Sequence, residues 1–100
     1  MIRNEREIRH ELVLQAAYRM MTAARTAPKG KGVDIIEMAV VTGEDIHKLS
    51  TEMIQLSAET GMKFLLRDAD NILCAEAVLI IGTMQKVQGL NCAHCGFPTC

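Results

Sequence analysis

Tryptophan is absent from this 100-residue chain, and its other rings are Tyr18, Phe64 and Phe97 alone. So few aromatics leave no stacking platform for single-stranded nucleic acid. Charge of one sign is lacking too: 11 basic residues face 12 acidic ones, for a net charge of −1. That balance gives no basic patch for a phosphate backbone or an anionic membrane, and neither partner is expected. The longest apolar stretch, around Ala77–Ile81, is far short of a membrane span. The charged start Met1-Ile2-Arg3-Asn4-Glu5-Arg6-Glu7 is followed by no apolar run or small-residue cleavage site, so the chain does not read as secreted. Proline occurs only as Pro28 and Pro98, which leaves long stretches free to form regular structure.

The remaining composition, 49% apolar and 23% charged, is ordinary for a folded domain. Asn4 followed by Glu7 is an N-cap with a capping-box-like acceptor. Ile8, Leu12, Val13, Ala16, Ala17, Met20, Met21 and Ala24 then recur at helical spacing, predicting a long amphipathic helix over 5–25. Pro28 and Lys29-Gly30-Lys31-Gly32 end it in a loop. Ile35 to Val41 reads as a buried strand. Thr42-Gly43-Glu44-Asp45 opens a second helix, with stripe Ile46, Leu49, Met53, Leu56 and cap Gly61. Phe64-Leu65-Leu66 reads as a short strand or extended segment, and Asp68 to Ala75 as a helical turn. Ala77 to Gly82, apolar on both faces, predicts a central strand. The expected fold is a layered α/β domain over 1–83, with amphipathic helices covering a small sheet. There is no internal repeat and no low-complexity segment.

Four cysteines are present, and three of them stand together in Cys92-Ala93-His94-Cys95-Gly96-Phe97-Pro98-Thr99-Cys100. Three thiolates at C-x2-C-x4-C spacing can converge on one soft metal, and an iron–sulfur cluster is the leading reading. Gly96 permits backbone conformations closed to other residues and Pro98 restrains the turn, so the loop can aim its sulfurs inward. A cluster normally takes four protein ligands. The fourth is expected either at Cys74 or beyond Cys100, with residues 84–100 read as the start of a truncated iron–sulfur segment. Zinc is the rival metal: Cys92 and Cys95 make half of a structural site, but no second close pair follows. A dithiol redox pair is a further reading, against which Cys100 and the Gly-Phe-Pro turn count. Unligated thiols on a loop are the plainest alternative.

The residues outside this loop carry weaker signals. Cys74, within Ile72-Leu73-Cys74-Ala75, is expected as an ordinary buried thiol. His94 is expected to face solvent between the two thiols. Lys29-Gly30-Lys31-Gly32 reads as a solvated surface loop, with an anion cradle as the alternative. His10 and His47 are expected to be exposed on helices, and Arg67, Asp68 and Asp70 to form a surface charge cluster. No nucleophile, base and orienting group can be assembled, so no enzyme activity is assigned.

Asn4 to Glu7, Ala23 to Asp34, Phe64 to Ala69, Ala77 to Gly82 and Gly89 to Cys100 together resemble a family of prokaryotic ferredoxin-domain-containing proteins whose function is uncharacterised. The cysteine loop is also similar to the small four-cysteine domains of electron-transfer and corrinoid iron–sulfur proteins. These resemblances imply a [4Fe–4S] cluster on Cys92, Cys95 and Cys100, with the fourth cysteine downstream. More loosely, residues 12–56, with Ala24-Arg25-Thr26-Ala27-Pro28, are similar to the start of flavin-dependent nitroreductases. The match fails over Lys29 to Ile36, so a flavin oxidoreductase is the third reading and no flavin contacts are assigned. The expected protein is thus cytoplasmic and passes electrons to a redox partner protein. The apolar helix 8–24 raises the further expectation of a homo-oligomer.

Overall fold

The computed structural model describes residues 1–100. Helix α1 runs Glu5–Thr26, and the Asn4 side chain caps it by accepting from the Arg6 N–H at 2.9 Å. Glu7 joins the cap through its backbone, donating to the Asn4 carbonyl, rather than through the expected carboxylate. Arg9 grips Glu5 one turn away with two hydrogen bonds, which hold that exposed carboxyl below the usual glutamate range. Strand β1 follows at Ile36–Thr42. Helix α2 occupies Glu44–Thr60, with both acids in its first turn and Gly61 in the left-handed conformation (φ 74°) as its C-terminal stop. Helix α3 is Phe64–Ile72 and strand β2 is Ala77–Thr83.

Two expectations change here. Phe64-Leu65-Leu66 is the first turn of α3, not a strand. The half-buried or buried positions Leu65, Ala69 and Ile72 have helical spacing, and that face packs on α2. The strand at Ala77–Thr83 is not central either: β1 and β2 form a two-stranded antiparallel sheet, with register from Ile36↔Thr83 through Ala39↔Ile80 to Thr42↔Ala77. The protein is therefore a mixed α/β fold, with α2 and α3 inserted between two paired strands.

Burial is concentrated where α2 meets α3. Ala69 is 0% exposed, and Ser50 and Ser57 are the two buried polar residues. Their small side chains let the helices approach closely. Each hydroxyl is used: Ser50 Oγ donates to the Ala69 carbonyl at 2.7 Å and Ser57 Oγ to the Met62 carbonyl at 3.0 Å. Helix α1 lies against both strands with Ala17 buried. Cross-strand partners share a face, so Ile36, Met38 and Val40 line the better-covered side while Ala39, Ile80 and Gly82 lie open on the other. No helix is long and apolar enough to cross a membrane.

Candidate metal centre

The cysteine loop is positioned by the start of β1. The ladder continues one rung beyond β2, where the Met84 N–H donates to the Ile35 carbonyl at 2.8 Å. The chain then crosses the glycine–lysine loop. Lys31 Nζ donates to the Gly89 carbonyl at 3.1 Å, and Leu90 packs over Gly30. A cavity of about 350 Å³ separates these segments, lined on one side by Pro28, Val33 and Ile35 and on the other by Gln88 and Leu90. A Cβ at Gly30 would stand 3.7 Å from the Leu90 side chain, an ordinary van der Waals contact.

Gly30, Lys31 and Gly32 are exposed, as expected of a surface loop, and the two lysines of the segment clasp its surroundings. Lys29 Nζ donates to the carbonyls of Ala24, Arg25 and Ala27, closing the C-terminus of α1 with a cation where the helix dipole favours one. With Lys31 engaged by Gly89, both ammonium groups donate to backbone carbonyl oxygens. Arg25 fixes the same junction by donating to Asp34 Oδ2 at 2.8 Å and to the Ile36 carbonyl at 3.1 Å. The Arg25 bond, and secondarily the Ile36 N–H, hold the Asp34 carboxyl below the usual aspartate range.

Beyond Leu90 the chain closes on itself. Asn91 Oδ1 accepts from the Cys100 N–H at 2.9 Å, and the Asn91 N–H donates to Cys100 Sγ at 3.3 Å. Between these ends the Gly96 N–H bonds to the Ala93 carbonyl at 3.0 Å. Asn91, Ala93 and Gly96 all have positive φ (48°, 59° and 92°), which curls the backbone tightly. Gly96 takes this conformation without strain, as the sequence implies. Asparagine tolerates it better than most residues, and Ala93 holds it between the two flanking turns.

Cys92, Cys95 and Cys100 thus share one closed loop, and all are free and exposed. No three cysteine, histidine or acidic side chains converge closely enough to hold a metal ion. The residues fit a soft metal in kind, as accessible thiols with one sulfur already receiving a backbone N–H, but they are not drawn together as a finished site. His94 is exposed, as expected.

Cys74 differs from expectation. It lies exposed in the turn after α3, where its N–H bonds to the Asn71 carbonyl. That turn precedes β2 whereas the cysteine loop follows it, and seven strand residues span roughly 20 Å. The fold therefore separates Cys74 from the other three.

Near Cys74 lies a feature that sequence reasoning missed. His10 Nδ1 is 3.1 Å from Glu76 Oε2, joining α1 to the turn before β2, and both line a cavity of about 300 Å³ with Glu44 and His47. The two histidines are exposed, as anticipated. Their convergence depends on a pairing 66 residues apart in sequence, which no local pattern announces. Arg67 and Asp68 form an exposed ion pair at 3.1 Å on α3.

No family model matches the sequence, and no solved structure matches the chain. An uncharacterized protein of Archaeoglobus fulgidus is 42% identical over 101 residues, an alignment that covers all of this chain and 54% of the relative. The chain spans about half the length of the curated relative it matches.

Proposed function

We propose that the Cys92–Cys100 loop ligates a [4Fe–4S] cluster and that the protein transfers single electrons to a redox partner protein in the cytoplasm. The observation that carries this reading is the closure of the loop by Asn91 on Cys100, with an N–H aimed at a sulfur. Such a bond stabilises a thiolate and withdraws charge from it, which raises the reduction potential of a centre held there. The cluster supplies the one-electron chemistry. Cys92, Cys95 and Cys100 supply thiolates, and Gly96 and Pro98 shape the path between them. The fourth ligand comes from outside residues 1–100, because β2 holds Cys74 away from the loop.

Anaerobic purification, followed by iron and acid-labile sulfide analysis and electronic absorption, tests this reading. Iron and sulfide in equal amounts, with broad visible absorption, support it. A colourless protein with zinc bound to the loop identifies a structural metal module instead. A yellow protein with bound flavin and no iron identifies the oxidoreductase reading.

A further inference from the structure

Lys31 holds a backbone conformation that its two neighbours would hold more easily. Its φ is 55°, in the left-handed region that side chains rarely adopt and glycine enters freely. Glycine stands on either side of it, at Gly30 and Gly32. A glycine at 31 would relieve the backbone, so the gain from lysine lies in its side chain. That side chain reaches across 58 residues of sequence, where Nζ donates to the Gly89 carbonyl at 3.1 Å. Gly89 is left-handed too (φ 64°), and a Cβ built there would stand 3.8 Å from the ammonium nitrogen. Two left-handed turns thus meet through one ammonium group.

Charge is scarce on this side of the molecule. Lys86 is the sole lysine, arginine, aspartate or glutamate in residues 84–100. Lys29 gives its ammonium to the last carbonyls of α1, and Arg25 is paired with Asp34. No carboxylate pairs with Lys31, whose bond to Gly89 fixes it three residues before Cys92. Three residues of chain reach at most about 11 Å, close to the Debye length of about 10 Å at 0.1 M salt. The charge of Lys31 therefore acts on the thiol loop, and salt weakens it.

We propose that Lys31 is the positioning residue of the cysteine loop: its ammonium seats the loop through Gly89 and raises the reduction potential of the centre held there. The second half of this role rests on the cluster reading above. Reduction of that centre adds one electron, taken from the redox partner protein or an electrode, with no bond made or broken. A fixed cation favours the added negative charge, and a side chain without charge at 31 does not.

Lys31→Gly is the decisive variant, because it removes the ammonium while suiting the backbone, so the fold is retained. In the metal-free protein, nuclear magnetic resonance reads the seat. Wild type shows a cross-peak between the Lys31 ε-methylene and the Gly89 α-protons. Backbone order parameters over 88–91 fall in Lys31→Gly from about 0.85 towards the flexible range below about 0.6. Anaerobic loading followed by potentiometric titration reads the charge. The midpoint potential of Lys31→Gly lies below that of wild type, Lys31→Arg restores it, and the gap narrows as salt is added. A lysine that served structure alone would give no salt-dependent gap. Order parameters unchanged by Lys31→Gly overturn the seat, and an equal midpoint potential at low salt overturns the charge role. A wild type that takes up no iron and sulfide removes the cluster reading and the charge role together, while the order parameters still decide the seat.

Discussion

The α2–α3 pair and the cysteine loop are both held by hydrogen bonds from side chains to backbone, yet they stand at opposite ends of solvent access. Ser50 and Ser57 make their bonds in a packed seam beside Ala69. Asn91 and Cys100 make theirs in water, in a segment where every residue from 89 to 100 is exposed. A dry bond cannot be exchanged for one to solvent, so breaking it leaves an unpaired group that costs roughly 1–3 kcal/mol. A wet bond can be exchanged at little cost. The seam therefore contributes more to stability, whereas the loop is shaped mainly by its backbone.

Substitutions can break this contrast at either end. The largest effect is expected in the loop, on metal and not on fold: Cys92→Ser, Cys95→Ser or Cys100→Ser removes most bound iron and sulfide, while Cys74→Ser retains it. Metal analysis beside far-ultraviolet circular dichroism separates the two quantities. In the seam, Ala69→Leu enlarges a side chain at a fully buried site and is expected to lower stability by about 1–3 kcal/mol, read by denaturant titration. Retained stability there would show that α3 can move off α2.

A smaller change sharpens the comparison. Asn91→Gly keeps the backbone conformation at φ 48° while deleting the acceptor for Cys100. The stability change is expected to stay below about 1 kcal/mol, while iron loading falls and amide exchange over 91–100 quickens. Smallest is the effect of pH at the junction beneath the loop. The carboxyl of Asp34 is held below its ordinary range by Arg25, so its contribution is present above about pH 4 and is lost as the pH falls through the lowered value. Thermal unfolding of wild type and Asp34→Asn should differ slightly at neutral pH and coincide in strong acid.

The sequence made α1, β1 and α2 legible because each carries its own punctuation: Asn4, Pro28, the acids at 44 and 45, and Gly61. The strand at Ala77 was legible as a strand but not as an edge, since its apolar run describes the burial it needs and not the burial it has. α3 was misread because three adjacent apolar residues, Phe64-Leu65-Leu66, hide a helical period carried by Leu65, Ala69 and Ile72. The serines of α2 were passed over as polar, although their size is what admits α3. At the candidate metal centre, the cysteines and Gly96 were visible in the spacing. The clasp of Lys29 and Lys31, the closure by Asn91 and the distance to Cys74 follow from long-range pairing, which no window of sequence contains.

Placing α2 and α3 between the two strands also orders the events of folding. β1 and β2 cannot zip together from a tight turn. Their pairing must close a loop that runs from Gly43 to Glu76, and the entropic cost of that closure falls once the two helices have packed on each other. The Met84–Ile35 rung extends that ladder, and the Lys31–Gly89 bond ties the following segment to the glycine–lysine loop. The thiol loop thus takes its place from contacts that are themselves long-range, the strand ladder at Met84 and the Lys31–Gly89 bond.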